Sequence, residues 1–459
     1  MQKFDRSIVD GPLAAAVWRL AWPTMLQNVI AGLQGIIDHA MVGHYVGYTS
    51  NAAIGVSWQI FLVVIVFIAS LYSGMGVLVA RFSGAGEPEK VNRVVQQAFV
   101  TSVLLSVVLA VAGYALSPYL LDVVRATPEV KAAALPFLRT MFVGNVGLLV
   151  FFMLGGAFRA AGDARTPLRL GIAATVLNAA FNVVLIPRYG AFGAALGTVT
   201  ANLIVAAVGN AMVLSGKYAV RVPRPLTLAP DWAIIRAIFR FGLPTGLQGI
   251  AMNVAGVLLL RFIGSLEYSA AAQAAYAVGY TELFSLITWT SVGLMSATAT
   301  IAGQNLGAGK PERSIAGAWV AARIGLGVAA VVGLAFMAMP SVLLGVFGMR
   351  DAHVLEIGTE LLQYLTVSGF FVTVALVSNG ALQGTGDTTS PFYISLVSQI
   401  VVPLGFCAVM DALHGLRASD IWTAIVIGHV LRCTLGVLRF RQGKWRQITV
   451  EIATPRAPA

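Results

Sequence analysis

An acidic residue lies within an otherwise apolar stretch near the start of the chain, QNVIAGLQGIIDHAMVGHY, residues 27–45. On a helix, Gln27, Gln34, Asp38 and Tyr45 follow one another at intervals of seven, four and seven, and therefore share one face. An ionisable residue within a membrane span usually faces the interior of the helix bundle or a water-filled cavity. We therefore predict that Asp38 lies on the path of an ion or a substrate.

The composition indicates which class of protein holds this stretch. Apolar residues make up 58% of the 459 residues and charged residues only 11%, which predicts a polytopic membrane protein. The two cysteines are too few for a disulfide framework or a four-ligand metal site. His39 and His44 flank Asp38 without an HExxH motif or a carboxylate cluster, which disfavours a metal site there.

Apolar runs long enough to cross roughly 30 Å of hydrocarbon predict an all-α integral membrane fold with twelve transmembrane helices. The predicted spans are residues 16–46, 52–82, 95–121, 132–160, 166–187, 191–215, 234–264, 270–303, 314–348, 354–382, 389–411 and 419–440. The most polar connector, GKYAVRVPRPLTLAPD, separates six helices from six. We therefore expect an N-terminal lobe at 1–215, a linker at 216–233 and a C-terminal lobe at 234–459.

The two sets of six helices resemble each other in sequence. RLAWPTMLQ beginning at Arg19 matches RFGLPTGLQ beginning at Arg240 at an offset of 221. FSGAGEPEK and NLGAGKPER match at offset 223, and GGAFRAAGDARTP and NGALQGTGDTTSP match at offset 224. Three matches at one drifting offset indicate an internal repeat. Because each repeat has an even number of spans, both lobes enter the membrane from the same side, and a cavity between them is expected.

Most Lys and Arg residues, among them Lys90 and Arg221, fall on one side of the predicted membrane. The other side holds few, mainly Arg125, Lys131, Arg188, Arg350 and Arg417. The positive-inside rule therefore places both termini and the linker in the cytoplasm. A net charge of +11 distributed in this way reflects membrane orientation and not nucleic-acid binding.

Two pairs of glycine-containing motifs have structural interpretations. GAGEPEK and GAGKPER resemble phosphate-binding loops. Such a loop needs Ser or Thr after the lysine, whereas Lys310 is followed by Pro311. We therefore expect a glycine to end one helix and the proline to begin the next. AAGDARTP and GTGDTTSP have the composition of a helix stop followed by an N-cap at Asp163 and Asp387.

Other spans hold unusual polarity. Asn178 and Asn182 lie four residues apart on one face of the fifth span, and Thr198 lies in the small-residue run GAALGTVTAN of the sixth. The eighth span places Tyr276, Tyr280 and Glu282 near mid-depth, with Glu282 expected as a buried carboxylate. The alternative is that these side chains only bond neighbouring helices, and for Asn182 the two interpretations are equally favoured.

Four segments together carry a resemblance to a known family: IIDHAMVGHYVG, GAFRAAGDARTPLRLGIAATVLNAAFNVVL, GAFGAALGTVTA and GQNLGAGKPERS. Across essentially the whole chain the sequence resembles the multidrug and toxic compound extrusion transporters, of the DinF-like kind. The resemblance implies two six-helix lobes in a V shape around a central cavity. It also implies export of cationic or amphipathic drugs against inflowing protons or sodium.

The resemblance also assigns residues. Asp38 matches the acid of the family's first helix, Asn178 and Thr198 match its partners, and Asn182 stands where relatives often have a second aspartate. That departure weakens the expectation of sodium coordination. Acids of the second lobe found in NorM-like relatives are missing, so coupling is expected mainly in the first half.

The resulting hypothesis is a proton-coupled antiporter in which Asp38 alternates between protonated and ionised forms, with Gln27, Gln34, Tyr276, Tyr280 and Glu282 lining the substrate cavity. No cofactor is expected beyond the coupling ion. The expected setting is a monomer in the bacterial cytoplasmic membrane, with the bilayer and small amphipathic molecules as partners. The alternatives are a sodium-coupled exporter and a lipid-linked oligosaccharide flippase, whose cavity should hold several Arg or Lys. A lipid-embedded enzyme is disfavoured because no nucleophile and base occur at convincing spacing.

Overall fold

The structure is a computed structural model that describes residues 5–45, 48–221 and 229–452. Within these ranges, the side chains of residues 33–40, 42–45, 48–52, 67 and 69–71 lie outside the description. The side chains of Gln34 and Asp38, and with them the centre of the predicted polar face, therefore lie outside the described residues.

The first half of the described chain is helical throughout. Its helices are α1 Ser7–Asp10, α2 Leu13–Tyr45, α3 Tyr48–Ala85, α4 Pro88–Val123, α5 Pro128–Val143, α6 Asn145–Ala160 and α7 Arg165–Leu214. The predicted spans match these helices within about four residues, with three exceptions: α4 begins seven residues before the predicted third span, the fifth and sixth spans both lie in α7, and the fourth span is two helices, α5 and α6, with a bend of 50° between them.

The second half is also helical. Its α-helices are α8 Trp232–Gly264, α9 Ser269–Tyr276, α10 Ser285–Gly307, α11 Pro311–Ala338, α12 Pro340–Val346, α13 Ala352–Thr385, α14 Thr389–Leu396, α15 Val402–His414 and α16 Ala418–Arg441. A π-helical segment, Ala277–Leu283, joins α9 to α10, and a second, Val397–Val401, joins α14 to α15. A 3₁₀ turn, Lys444–Gln447, follows α16.

One glycine divides the longest helix into two crossings. At about 1.5 Å per residue, the 50 residues of α7 would extend roughly 75 Å, more than twice the hydrocarbon thickness. Gly190 interrupts it at φ 59° and ψ −137°, a conformation that residues with a Cβ rarely adopt. The predicted spans 166–187 and 191–215 are therefore both present, and the helices provide twelve crossings.

The predicted helix stops are confirmed. Gly162 has φ 99° and Gly386 has φ 102°, which suit glycine alone. Asp163 Oδ1 then accepts hydrogen bonds from the backbone N–H of Arg165 at 3.1 Å and of Thr166 at 3.0 Å. The Gly-then-Pro interpretation also holds, since Pro88 and Pro311 begin α4 and α11.

Matching residues of the repeat make matching contacts within each half. Arg159 Nη1 donates to Gln27 Oε1 at 3.4 Å, and Gln383 Nε2 donates to Gln248 Oε1 at 3.3 Å. Gln248 Nε2 also donates to Ser395 Oγ at 2.6 Å. Each repeat thus binds its first span to its fourth through an equivalent glutamine, which is a structural counterpart of the sequence repeat.

The chain forms two compact units, each described by itself. Unit 1 contains Leu26–Gly246, and unit 2 contains Ser7–Met25 together with Leu247–Thr449. In unit 2 the first segment is held by Asn305 Nδ2, which donates to the Ile8 carbonyl at 3.4 Å, and by Arg313 Nη2, which donates to the Gly11 carbonyl at 2.7 Å. The units therefore differ from the predicted halves 1–215 and 234–459 at the start of α2 and of α8, and those boundaries stay a prediction about the repeat.

Candidate functional site

Three polar side chains of unit 1 form a hydrogen-bonded chain, which we call the asparagine node: Asn178, Asn182 and Thr198. Asn182 Nδ2 donates to Asn178 Oδ1 at 3.2 Å, and Asn178 Nδ2 donates to Thr198 Oγ1 at 3.0 Å. Asn178 is 1% exposed and Asn182 is fully buried. The predicted common face of the two asparagines is therefore present, and Thr198 joins it from the next span.

The backbone around Gly190 brings the node together, because the break folds the second part of α7 back against the first. A Cβ at Gly197 would collide with Asn182 Oδ1, so glycine permits the close approach of the two crossings. Asn202 Nδ2 donates to the Thr198 carbonyl at 2.8 Å. The position of Thr198 is thus fixed from its own helix as well as from Asn178.

The node has a defined hydrogen-bonding direction. Each amide donates to the next residue, so Thr198 Oγ1 receives a hydrogen bond and keeps its own hydroxyl proton for donation. In the hydrogen bonds of the described residues, this hydroxyl acts as an acceptor and not as a donor. Amide and hydroxyl groups carry no charge, and the node itself contains no carboxylate. Chemically it can orient and hydrogen-bond an anionic or neutral oxygen without supplying charge of its own.

Of the predicted polar face on the first span, Gln27 is the member whose surroundings are described. Gln27 is half-buried and accepts a hydrogen bond from Arg159 in the last turn of α6, at the end of the fourth span. A Cβ at Gly171 would lie 3.2 Å from Gln27 Nε2, so the fifth span also packs closely against this side chain. Gln27 therefore joins spans one, four and five, and its predicted place in a substrate cavity stays a prediction.

The second predicted group, in unit 2, contains a stacked tyrosine pair. The rings of Tyr276 and Tyr280 stack with centroids 4.9 Å apart and 8° between their planes. Tyr276 is 8% exposed, and Tyr280 is half-buried. Tyr280 and Glu282 both lie in the π-helical segment Ala277–Leu283, a type of segment that often occurs at functional sites.

Glu282 differs from expectation. Its side chain is exposed, so the expectation of a buried carboxylate at this position is wrong. Glu282 follows Tyr276 by six residues, which at 3.6 residues per turn rotates its side chain by about 120° from the tyrosine's face of the helix. Whether Glu282 lines a substrate cavity stays a prediction.

Sequence reasoning missed three polar residues of α16 that pack beside the tyrosines: Trp422, His429 and Arg432. Trp422 stacks on Tyr276 at 6.3 Å, and His429 stacks on Phe284 at 6.0 Å. Arg432 is only 7% exposed and interacts electrostatically with Tyr280. The signal was available, because an arginine within the apolar run IGHVLRCTLGVL is the same kind of feature as Asp38.

The comparison with a family profile gives two matches, one in each repeat of the chain. The profile of the family described as MatE matches residues 23–184 and 244–409. A similar protein of Thermotoga maritima, named probable multidrug resistance protein NorM, is 27% identical over 94% of this chain and 93% of its own length. The multidrug resistance protein MdtK of Edwardsiella ictaluri is 25% identical, with 96% of each chain covered.

The fold also matches solved structures. One described as an outward-facing conformation of a multidrug resistance MATE family transporter of the MOP superfamily has a TM-score of 0.89 at 20% identity, covering 96% of this chain and 98% of its own. At that identity the likeness concerns the fold alone, which is the twelve-helix, two-lobe fold of these transporters. Since the family profile spans well over half of the sequence, the chain belongs to the MatE family of multi-pass membrane transporters, which are not enzymes.

Proposed function

We propose that this chain is an antiporter that exports cationic or amphipathic small molecules in exchange for protons, with Asp38 as the residue that carries the proton. Export is supported by the relatives named multidrug resistance proteins, which align over nearly their whole length. The proposal further places a monomer in the cytoplasmic membrane with both termini in the cytoplasm, as the distribution of Lys and Arg predicts.

The observation that carries the proposal is the direction of hydrogen bonding in the asparagine node. Asn182 donates to Asn178 and Asn178 donates to Thr198, so within the described hydrogen bonds the Thr198 hydroxyl that ends the node serves as an acceptor and keeps its proton for donation. An ionised carboxylate is the strongest acceptor for such a donor, and hydrogen bonds to charged groups are roughly twice as strong as neutral ones. Protonation of that carboxylate would weaken the bond and change how the first helix packs.

The neutral node also favours protons over sodium. Sodium needs several oxygen ligands with compensating negative charge, and Asn182 supplies an amide oxygen where relatives often have a carboxylate. One proton moving down about 150 mV releases roughly 3.5 kcal/mol, which supports a gradient of a few hundred-fold for a neutral solute. A single titrating carboxylate is therefore energetically sufficient.

The test is transport in vesicles with one imposed gradient at a time. The purified protein in liposomes is given either a pH gradient without sodium or a sodium gradient at equal pH, and movement of a cationic dye is followed. We expect dye movement with the pH gradient and none above protein-free vesicles with the sodium gradient. Dependence on sodium alone would favour the sodium-coupled alternative, and absence of dye movement under both gradients would favour the flippase alternative.

A further inference from the structure

The strongest feature that the proposed function does not use is a buried polar face on α16. Trp422, His429 and Arg432 follow at intervals of seven and three, which places them within one stripe of the helix. Their exposed fractions are 0%, 3% and 7%. Within the described part of the chain, Trp422 Nε1, His429 Nδ1 and Arg432 Nε have no hydrogen-bond partner. Three such atoms on one stripe are unusual, because buried polar groups are almost always paired.

Arg432 is the costly member of this face. Counted at about 1.5 Å per residue, it lies roughly 13 Å from the end of α16 at Arg441 and about 21 Å from its start at Ala418. It is therefore deep in the membrane, where an arginine is expensive and usually functional. No described carboxylate forms an ion pair with it. Of the nineteen Asp and Glu residues, Asp38 alone has a side chain outside the description.

An aromatic column includes two residues of the same stripe and is formed by Trp422, Tyr276, Tyr280, Phe284 and His429 in that order. Consecutive ring centroids are 6.3, 4.9, 5.5 and 6.0 Å apart. Arg432 follows His429 by three residues on α16, and it lies within range of electrostatic interaction with Tyr280. The column thus joins α16 to the π-helical segment Ala277–Leu283 and places flat apolar surfaces beside a guanidinium.

The site has one open side. Tyr280 is half-buried, while its chain neighbours Ala277, Thr281 and Glu282 are exposed. Tyr280 therefore connects the buried guanidinium with the exposed part of the π-helical segment. One turn before Arg432, a Cβ at Gly428 would lie 2.6 Å from the Ser398 carbonyl oxygen, so the second π-helical segment packs tightly against this part of α16.

We propose that this face of unit 2 binds the carboxylate of an aromatic small molecule, with Arg432 as the anion ligand, Tyr280 and His429 as hydrogen-bonding partners, and the aromatic column holding the ring. Guanidinium has a planar fork of donors that matches a carboxylate bidentately and also stacks on aromatic surfaces. Lipid phosphates lie near the membrane surface, about 13 Å or more from this depth, so a headgroup does not reach it. Binding at this site does not depend on transport. The use of the site in transport rests on the proposed function, and it would extend the range of exported compounds to zwitterionic and acidic molecules.

The test is equilibrium binding of two matched probes to the full-length protein in lipid nanodiscs. The probes are 2-naphthoate and 2-naphthamide, which share the ring system and differ in the charge of one group. We expect the wild type to bind the naphthoate at least about 10-fold more tightly. Arg432→Met should weaken naphthoate binding by about 10- to 100-fold, the range for a hydrogen bond to a charged group, and leave naphthamide binding unchanged.

Two further variants complete the comparison. Arg432→Lys keeps the charge but lacks the planar fork, so we expect its preference for the naphthoate to fall several-fold. Arg441→Met is the matched control, because Arg441 is exposed on the same helix with its guanidinium 5.8 Å from the Trp319 ring, and it should keep the full preference.

Equal binding of both probes by the wild type, or an undiminished preference in Arg432→Met, would overturn the proposal. If Arg432→Met does not fold, an unchanged preference in Arg432→Lys overturns it instead. Because the assay needs neither a gradient nor dye movement, its failure is distinguishable from failure of the proposed antiport. Dye movement without a preference for the naphthoate would contradict only the proposed carboxylate site. A preference for the naphthoate without dye movement would contradict only the proposed antiport.

Discussion

Substitution Gly384→Ala adds a methyl group at a close contact between α13 and α10 of unit 2. Gly380 and Gly384 lie four residues apart on α13, the spacing that lets two membrane helices approach closely. A Cβ at Gly384 would lie 2.6 Å from both the carbonyl carbon and the Cα of Ala299 on α10. These are backbone atoms, so no side-chain rotation relieves the collision, and the two helices must separate.

The size of the effect follows from that separation. Ordinary van der Waals contact begins near 3.4 Å, and the carbonyl oxygen of Ala299 lies closer still to the added Cβ, so α10 and α13 must move apart by at least about 0.8 Å. The same interface holds the Ser291–Thr373 hydroxyl pair at 2.9 Å, which such a movement stretches beyond hydrogen-bonding distance. Overpacking costs about 1–3 kcal/mol and the lost hydrogen bond about 1 kcal/mol, so we expect Gly384→Ala to destabilise the protein by about 2–4 kcal/mol.

The assay is thermal unfolding of the purified protein in detergent. For a compact unit of this size, about 2–4 kcal/mol corresponds to a fall in Tm of roughly 5–15 °C. Gly327→Ala is the matched control, because a Cβ there has nothing within 4 Å, and it should leave the Tm unchanged or slightly raised. A Gly384→Ala variant as stable as the control would refute the close contact of α10 and α13.

Two further predictions concern coupling and orientation. Asn182→Asp places a carboxylate beside Asn178, and we expect sodium to stimulate dye transport by this variant. Asn210→Asp is the control, because Asn210 is half-buried on the same helix, and its dye transport should not respond to sodium. Equal responses of the two variants to sodium would contradict the role of the node. In a background without the two native cysteines, Arg188→Cys should react with an impermeant thiol reagent in intact cells and Lys90→Cys only after permeabilisation, and the reverse pattern would invert the orientation.

The sequence predicted the crossings well because hydrocarbon thickness sets a minimum length for every span. The helix stops before Asp163 and Asp387 and the Gly-Pro turns were predictable because glycine permits the left-handed backbone that ends a helix, and proline fixes φ at the start of the next one. The bend at Gly144 and the two π-helical segments were missed. Inside a uniformly apolar run, no change of residue type marks where the hydrogen-bonding pattern shifts, and that shift comes from packing against other helices.

The site residues were predictable to the extent that their partners were local. Asn178 and Asn182 are one helical turn apart, so their contact follows from spacing alone. The pairing of Thr198 with Asn178 needs the fold at Gly190, and here it came from the family resemblance. Arg432 was overlooked because basic residues were considered as markers of loops. Its aromatic neighbours come from spans more than 140 residues apart, which periodicity within one helix does not reveal.

The central claim is that protonation of Asp38 drives transport, and the most direct measurement compares Asp38→Asn with Asp38→Ala in proton-driven efflux of a cationic dye at equal membrane levels. The amide keeps the shape and hydrogen bonds of the carboxyl group but does not titrate, so the proposed mechanism predicts that both variants lose efflux. Asp122→Asn, which changes an exposed acid paired with Lys131, should retain it. Near-normal efflux by Asp38→Asn, with loss only in Asp38→Ala, would contradict the claim and leave Asp38 a purely structural hydrogen-bonding role.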